Sequence, residues 1–181
     1  MKLRESLQKL FLLLTLLVLS ACAALVPKEH LIPKEKLVSL LNKKFPIQLE
    51  EAGGLLSFKI DAPRLNFITE QNRISIKGHY TADATLLKIK GDFVFSSKLD
   101  YHKEKRAIFL SDARFESFHP SGGYFADKLR SALNRKVSEF VSNNPLYVFR
   151  PDQLVILGVK MEVNKIEVVN DGILIKLNSA K

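Results

Sequence analysis

The sequence contains a single cysteine, Cys22, and no tryptophan. One cysteine cannot form a disulfide within the chain, so the core alone must hold the fold. Motifs that identify enzymes by spacing are also missing: there is no HExxH pair, no GxSxG turn and no phosphate-binding loop. The histidines, His30, His79, His102 and His119, stand alone in polar or turn-like surroundings. These absences predict a protein that is not an enzyme and has no metal site or cofactor.

No hydrophobic run is long enough to cross a membrane. The apolar stretch from Leu10 to Leu19 is interrupted only by Thr15, and it falls short of the roughly 20 residues that a transmembrane helix needs. A basic head with Lys2 and Arg4 precedes it, and small residues follow it. This order is typical of a secretory signal peptide.

The end of that segment, Leu19-Ser20-Ala21-Cys22, is similar to a bacterial lipobox. In proteins with this motif the cysteine sulfur carries a diacylglyceryl group, the preceding peptide is removed, and the new amino terminus is acylated, for example with palmitate. The alternative is an ordinary signal peptide with a chance cysteine. The lipobox interpretation divides the chain into a signal peptide (1–21), a lipidated tether (22–32) and one domain (33–181). Ala23 after the cysteine favours the outer membrane, facing the periplasm.

The formal net charge is +9, which for an intracellular protein would suggest a nucleic-acid partner. Export argues against nucleic acid. An anionic membrane surface or an anionic lipid is the better match, because basic groups gain about 1 kcal/mol each near such a surface. The alternative is that the charge only keeps the protein soluble.

The hydrophobic pattern predicts a helix, then strands. Leucines at helical spacing predict a first helix over 34–45, which ends before Pro46. From 47 to 110 apolar residues alternate with polar ones, as in Phe58-Lys59-Ile60, which indicates antiparallel strands with one buried face. Glycines within this region, Gly78 and Gly91, are expected at turns or bulges.

The C-terminal half predicts a second helix and a hairpin. An apolar stripe runs from Phe125 to Val141 and indicates an amphipathic helix of about 20 residues, roughly 30 Å long. The runs 154–163 and 166–177 then predict strands, and residues 170–172 predict a hairpin turn. The predicted fold class is therefore α+β, with a long amphipathic helix on one face of an antiparallel sheet.

Two further segments, 103–110 before the second helix and 144–150 after it, resemble the YceB-like lipoproteins, a bacterial family of unknown function. This resemblance implies a TULIP-like fold, in which a strongly curved antiparallel β-sheet wraps around a long amphipathic helix. It also implies a lipid or other hydrophobic ligand, such as a phospholipid or fatty acid, held in the groove between sheet and helix. Fold alone does not determine function.

Residues on the predicted inner faces are candidates for lining such a groove. They are Phe58, Phe67, Ile76, Phe93, Phe95, Leu129, Leu133 and Val137. The alternative for each is ordinary core packing. A second functional hypothesis is a scaffold lipoprotein that binds another envelope protein through the helix 34–45 or through Tyr147–Arg150, since Tyr and Arg are favoured interface residues. A continuous apolar cavity of several hundred Å³ would favour the first hypothesis, and a solid core with an exposed apolar patch would favour the second.

Overall fold

The computed structural model describes residues 28–84, 87–121 and 126–180. Strands hold 58% of the described residues and form sheets that curl into two half-barrels. The helices are α1 (Lys34–Asn42) and α2 (Ala126–Asn143). The strands are β1 (Glu29–Pro33), β2 (Ile47–Glu51), β3 (Leu56–Ile60), β4 (Arg64–Ile68), β5 (Arg73–Ala84), β6 (Leu87–His102), β7 (Ala107–Pro120), β8 (Tyr147–Val148), β9 (Val155–Ile156), β10 (Val159–Val169) and β11 (Gly172–Ser179).

The larger sheet has seven strands in the order β2-β3-β5-β6-β7-β8, with β4 also paired to β5. β3 and β4 lie end to end along one edge of β5, because Ile60 pairs with Tyr80 and Leu65 pairs with Ile76. All of these pairings are antiparallel. Ile76 and the opposing Phe95 are both buried. The strands predicted from the alternating pattern are therefore present, and they turn one apolar face inward.

The smaller sheet has four strands in the order β1-β11-β10-β9. β10 and β11 form the predicted hairpin around Asn170 and Asp171. β1 lies almost wholly in the stretch assigned to the tether and ends one residue beyond it. The strand predicted over 154–163 is interrupted, because Leu157 and Gly158 form a turn with φ of +50° and +78°. A run of apolar residues gives no sign of such a turn.

The predicted fold class, a strongly curved sheet wrapped around a long amphipathic helix, is wrong. α2 has 18 residues and spans about 27 Å at 1.5 Å per residue. It packs against β7 and β2 with one buried stripe, whereas Lys128, Arg130 and Arg135 on its other side are exposed. Because that side is open to solvent, the sheet does not enclose the helix. The TULIP-like architecture is thus corrected to a mostly β fold of two half-barrel sheets.

The prediction is wrong because an apolar stripe describes only the helix that carries it and not the sheet around it. An amphipathic pattern shows that one face of a helix is buried, and α2 does bury Leu129, Leu133 and Val137. The pattern does not show how far a neighbouring sheet continues around the helix. That depends on strand pairing between residues distant in sequence.

One hydrophobic core connects both sheets and both helices. Leu37 of α1, Leu133 of α2, Ile74 of β5 and Ile175 of β11 are each 0% exposed. The strands approach each other closely here: a Cβ added at Gly78, inside β5, would lie 2.7 Å from the Phe93 ring. Glycine therefore serves close packing within a strand at this position.

Candidate functional site

A small apolar cavity of about 40 Å³ lies between α1, the C-terminal half of α2 and the inner face of the seven-stranded sheet. α1 contributes Leu40 and Leu41, which continue the helical stripe that begins at Leu37. α2 contributes its last apolar turn, with Val137 and Val141 on the wall. Residues three and four apart lie on the same side of a helix, so both helices present continuous apolar edges to the cavity.

The sheet forms the floor of the cavity. Ile60 of β3, Ile76 of β5 and Phe93 and Phe95 of β6 all line it, together with Leu110 of β7. Alternate residues of a strand point to the same face, so neighbouring strands place these side chains side by side. The Phe93 and Phe95 rings are nearly parallel, and their centroids are 6.0 Å apart. The floor is therefore a rigid aliphatic and phenyl surface.

A lysine spans the mouth of the cavity. The Lys44 Nζ donates a hydrogen bond of 2.6 Å to the backbone oxygen of Pro145, which joins the segment after α1 to the segment after α2. Burial lowers the pKa of Lys44 because the charged ammonium loses water. Beside it, the Phe45 and Phe140 rings meet edge to face with centroids 6.2 Å apart. All four residues line the cavity, so these contacts constrict its mouth.

A wider outer pocket of about 290 Å³ adjoins this mouth. Leu40, Lys44 and Leu146 line both spaces, so the two lie side by side and share a wall. Lys36 and Arg150 line the outer pocket. The pair of spaces is thus apolar at its inner end and basic at its outer end.

One protein family matches the chain. A family model described as a protein of unknown function (DUF1439) matches residues 32–171, which is more than half of the chain. The chain belongs to this family. The matched range includes the whole cavity and the whole outer pocket. No curated protein matches the chain.

In this family member, half of the candidate groove residues lie at the cavity. Ile76, Phe93, Phe95 and Val137 line it. The sequence indicates them because they lie on the inward face of a strand or on the apolar stripe of a helix. The structure brings them together from three elements.

The other four candidates lie elsewhere. Phe58, Leu129 and Leu133 are buried in the core without lining the cavity. Phe67 is half-buried on β4, with the Lys34 ammonium 5.9 Å from its ring centroid. The proposed lipidation residue, Cys22, lies outside the described residues.

Sequence reasoning missed the contribution of α1 and of the segment after α2. Leu40, Leu41 and Leu146 line the cavity. The helical spacing of the α1 leucines was recognised, but the helix was considered only as a protein contact. Both segments named for that contact, 34–45 and 147–150, border the mouth. Their meeting depends on the tertiary structure, since about a hundred residues separate them.

The described residues offer little other chemistry. Within 28–84, 87–121 and 126–180, no three His, Cys, Asp or Glu side chains are placed to hold a metal ion. His79 pairs with Asp92, and both side chains are more than half exposed. No helix in the described part of the chain is long and apolar enough to cross a membrane.

Proposed function

We propose that this protein is a YceB-like lipoprotein, anchored through Cys22 to the outer membrane and facing the periplasm, that binds an anionic amphiphile such as a fatty acid or phospholipid. The observation that supports this proposal is the position of the apolar cavity beside the basic outer pocket, with Leu40, Lys44 and Leu146 lining both. An acyl chain that reaches the cavity gains about 0.8 kcal/mol per CH₂ removed from water. A carboxylate or phosphate head would remain in the outer pocket near Lys36, Lys44 and Arg150, where charge-assisted hydrogen bonds can form.

Binding of a chain requires the mouth to open. The cavity of about 40 Å³ is much smaller than the several hundred Å³ that would hold a ligand outright, and benzene occupies an apolar cavity of about 150 Å³. Opening would separate Phe45 from Phe140 and break the bond from Lys44 to Pro145. A hydrogen bond to a charged group contributes about 1.5–3 kcal/mol, which burial of about four CH₂ groups offsets.

Native mass spectrometry of the full chain purified gently from envelopes, followed by organic extraction, tests the proposal. We expect a fatty acid or phospholipid at near one per chain, and rebinding of oleate, used as the probe, after its removal. Val137→Phe, which fills the cavity wall, should reduce oleate binding. Leu133→Phe is the matched control, because it enlarges a buried α2 residue away from the cavity. No adduct, or equal binding by both folded variants, would overturn the cavity as the site.

The basic end of the site has its own control. Lys36→Glu reverses a charge in the outer pocket, whereas Lys43→Glu makes the same change on an exposed residue outside both spaces. We expect oleate binding to weaken several-fold only in Lys36→Glu. Equal effects would mean that net charge rather than the pocket attracts the head.

A second candidate function is a scaffold lipoprotein that binds another envelope protein. Exposed apolar side chains, including Val148 of β8 and Leu157 between β9 and β10, favour it. A clean ligand-free mass after incubation with lipid, together with a stoichiometric co-purifying envelope protein, would support this candidate over the first.

A further inference from the structure

The turn between β9 and β10 carries a large apolar residue in an unfavourable backbone conformation. Leu157 has φ of +50° and is 77% exposed, and Gly158 follows with φ of +78°. Two-residue hairpins with positive φ at both positions strongly favour Asn-Gly or Asp-Gly. A leucine here is unfavourable for the backbone and for the solvent-exposed side chain at once. Such a combination points to a contact that the isolated domain does not make.

The neighbours of Leu157 extend this apolar surface. Val155 and Val159 flank the turn and are 42% and 40% exposed. Lys160, next along β10, is also exposed. We call Val155–Val159 the hairpin tip. Val155 and Val159 lie on opposite faces of the hairpin, because Val155 pairs with Lys160 and Val159 pairs with Ile156. Both faces are therefore apolar at the tip, and a basic residue beside exposed apolar residues suits contact with an anionic membrane.

The register of the four-stranded sheet places the hairpin tip at the end where the chain enters β1. Met161 near the start of β10 pairs with Ser179 at the end of β11, and the Leu177 backbone N–H donates to the Lys28 oxygen. The tip therefore projects beyond Lys28, past the N-terminal end of β1. About four residues of β10 lie between the hairpin tip and the part of this strand that is level with Lys28, which is a distance of about 13 Å. The six-residue span from Cys22 to Lys28 can reach at most about 20 Å.

We infer that the hairpin tip inserts into the same bilayer to which Cys22 is anchored, and so fixes the orientation of the domain on the membrane. This inference rests on the lipid anchor of the proposed function and not on its ligand. A tether that reaches at most about 20 Å holds the start of β1 close to the bilayer. The tip then projects toward the surface from the same end of the sheet. Bilayer contact removes from water the side chains that the fold leaves exposed.

The absence of tryptophan from the chain allows a direct test with single-tryptophan variants. The full lipidated chain is reconstituted in phosphatidylethanolamine–phosphatidylglycerol vesicles that contain brominated acyl chains. Leu157→Trp reports on the tip. Leu55→Trp is the matched control, because Leu55 is 66% exposed and lies at the Ala84 end of β5. The opposite end of β5 adjoins β10 through Asn72, whose side-chain amide donates to the Ile166 backbone oxygen and accepts from the Val168 backbone N–H.

We expect blue-shifted emission and several-fold stronger quenching for Leu157→Trp than for Leu55→Trp. Water-like, unquenched emission from both variants on vesicle-bound protein would overturn the inference, and so would equal quenching of both. An emission shift of Leu157→Trp that requires envelope protein rather than vesicles would overturn it in favour of a protein partner. A mass showing unmodified Cys22 would instead overturn the anchor itself.

Discussion

Replacement of Leu157 by asparagine should stabilise the domain, although leucine is the more hydrophobic residue. The left-handed conformation costs a residue such as leucine roughly 1–2 kcal/mol, and asparagine tolerates it better. Leu157 is 77% exposed, so its loss removes only about a quarter of the 1.5–3 kcal/mol that full burial would contribute. The net expectation for Leu157→Asn is a gain of about 0.5–1 kcal/mol in the free energy of unfolding.

Urea unfolding measures this gain as a higher midpoint with an unchanged m-value. Leu55→Asn is the control, because it removes a leucine of similar exposure from a position that lacks a positive φ. We expect no gain in the control. A midpoint for Leu157→Asn that falls as far as that of Leu55→Asn would refute the argument that the turn is strained. If Leu157→Asn is more stable yet associates less closely with vesicles, the leucine serves contact with the membrane at the expense of stability.

Three further changes test the packing of the larger sheet. Gly91→Ala should lower the free energy of unfolding by about 1–3 kcal/mol, because its Cβ would lie 2.5 Å from the His119 backbone oxygen and 2.6 Å from the Tyr80 hydroxyl; a urea midpoint within error of the unchanged protein would contradict this. Tyr80→Phe should raise it by about 1 kcal/mol, since the buried hydroxyl has no hydrogen-bond partner among the described residues. Burial also raises the pKa of Tyr80. Above about pH 10 the tyrosine therefore ionises in the unfolded chain first, and the unchanged protein should lose stability. Tyr80→Phe should lose less stability over this range, and parallel pH profiles of the two proteins would refute this. Arg73→Met should cost about 2–3 kcal/mol, because the buried guanidinium donates to the Asp112 carboxylate and backbone oxygen at 3.0 and 2.6 Å. That contact, together with a hydrogen bond from Arg114, lowers the pKa of Asp112, so its contribution is present above the ordinary aspartate pKa and is lost as the pH falls below about 4. Unfolding measured from pH 3 to 7 should show a smaller change in Arg73→Met than in the unchanged protein, because only Arg114 then lowers this pKa.

The candidate site was only half predictable. Local periodicity indicates Ile76 and Val137, because each lies on the apolar face of its own strand or helix. Leu133 occupies the same helical stripe as Val137 and yet belongs to the closed core. Periodicity assigns a residue to a face, but it cannot separate packed core from cavity wall, because that depends on how three elements meet.

The fold was likewise predictable only where a local sequence signal exists. Alternation identified the strands from β2 to β7, and the residues around Asn170 identified the β10–β11 hairpin, because both signals act within a few residues. The strand β1 and the turn at Leu157 had no such local signal. The conformation of Leu157 is unfavourable for its residue type, so it is imposed by the pairing of Val159 with Ile156.

By itself, the sequence determined where both helices and most of the longer strands form and which of their faces are apolar, because those properties follow from side-chain spacing along the chain. It also carries the lipobox-like segment on which the proposed anchor depends. Only the tertiary structure decided that the sheets curl into two half-barrels rather than around α2, and that α1 and the segment after α2 meet over a cavity. These outcomes depend on pairing and packing between residues far apart in the chain, and no local pattern records that choice.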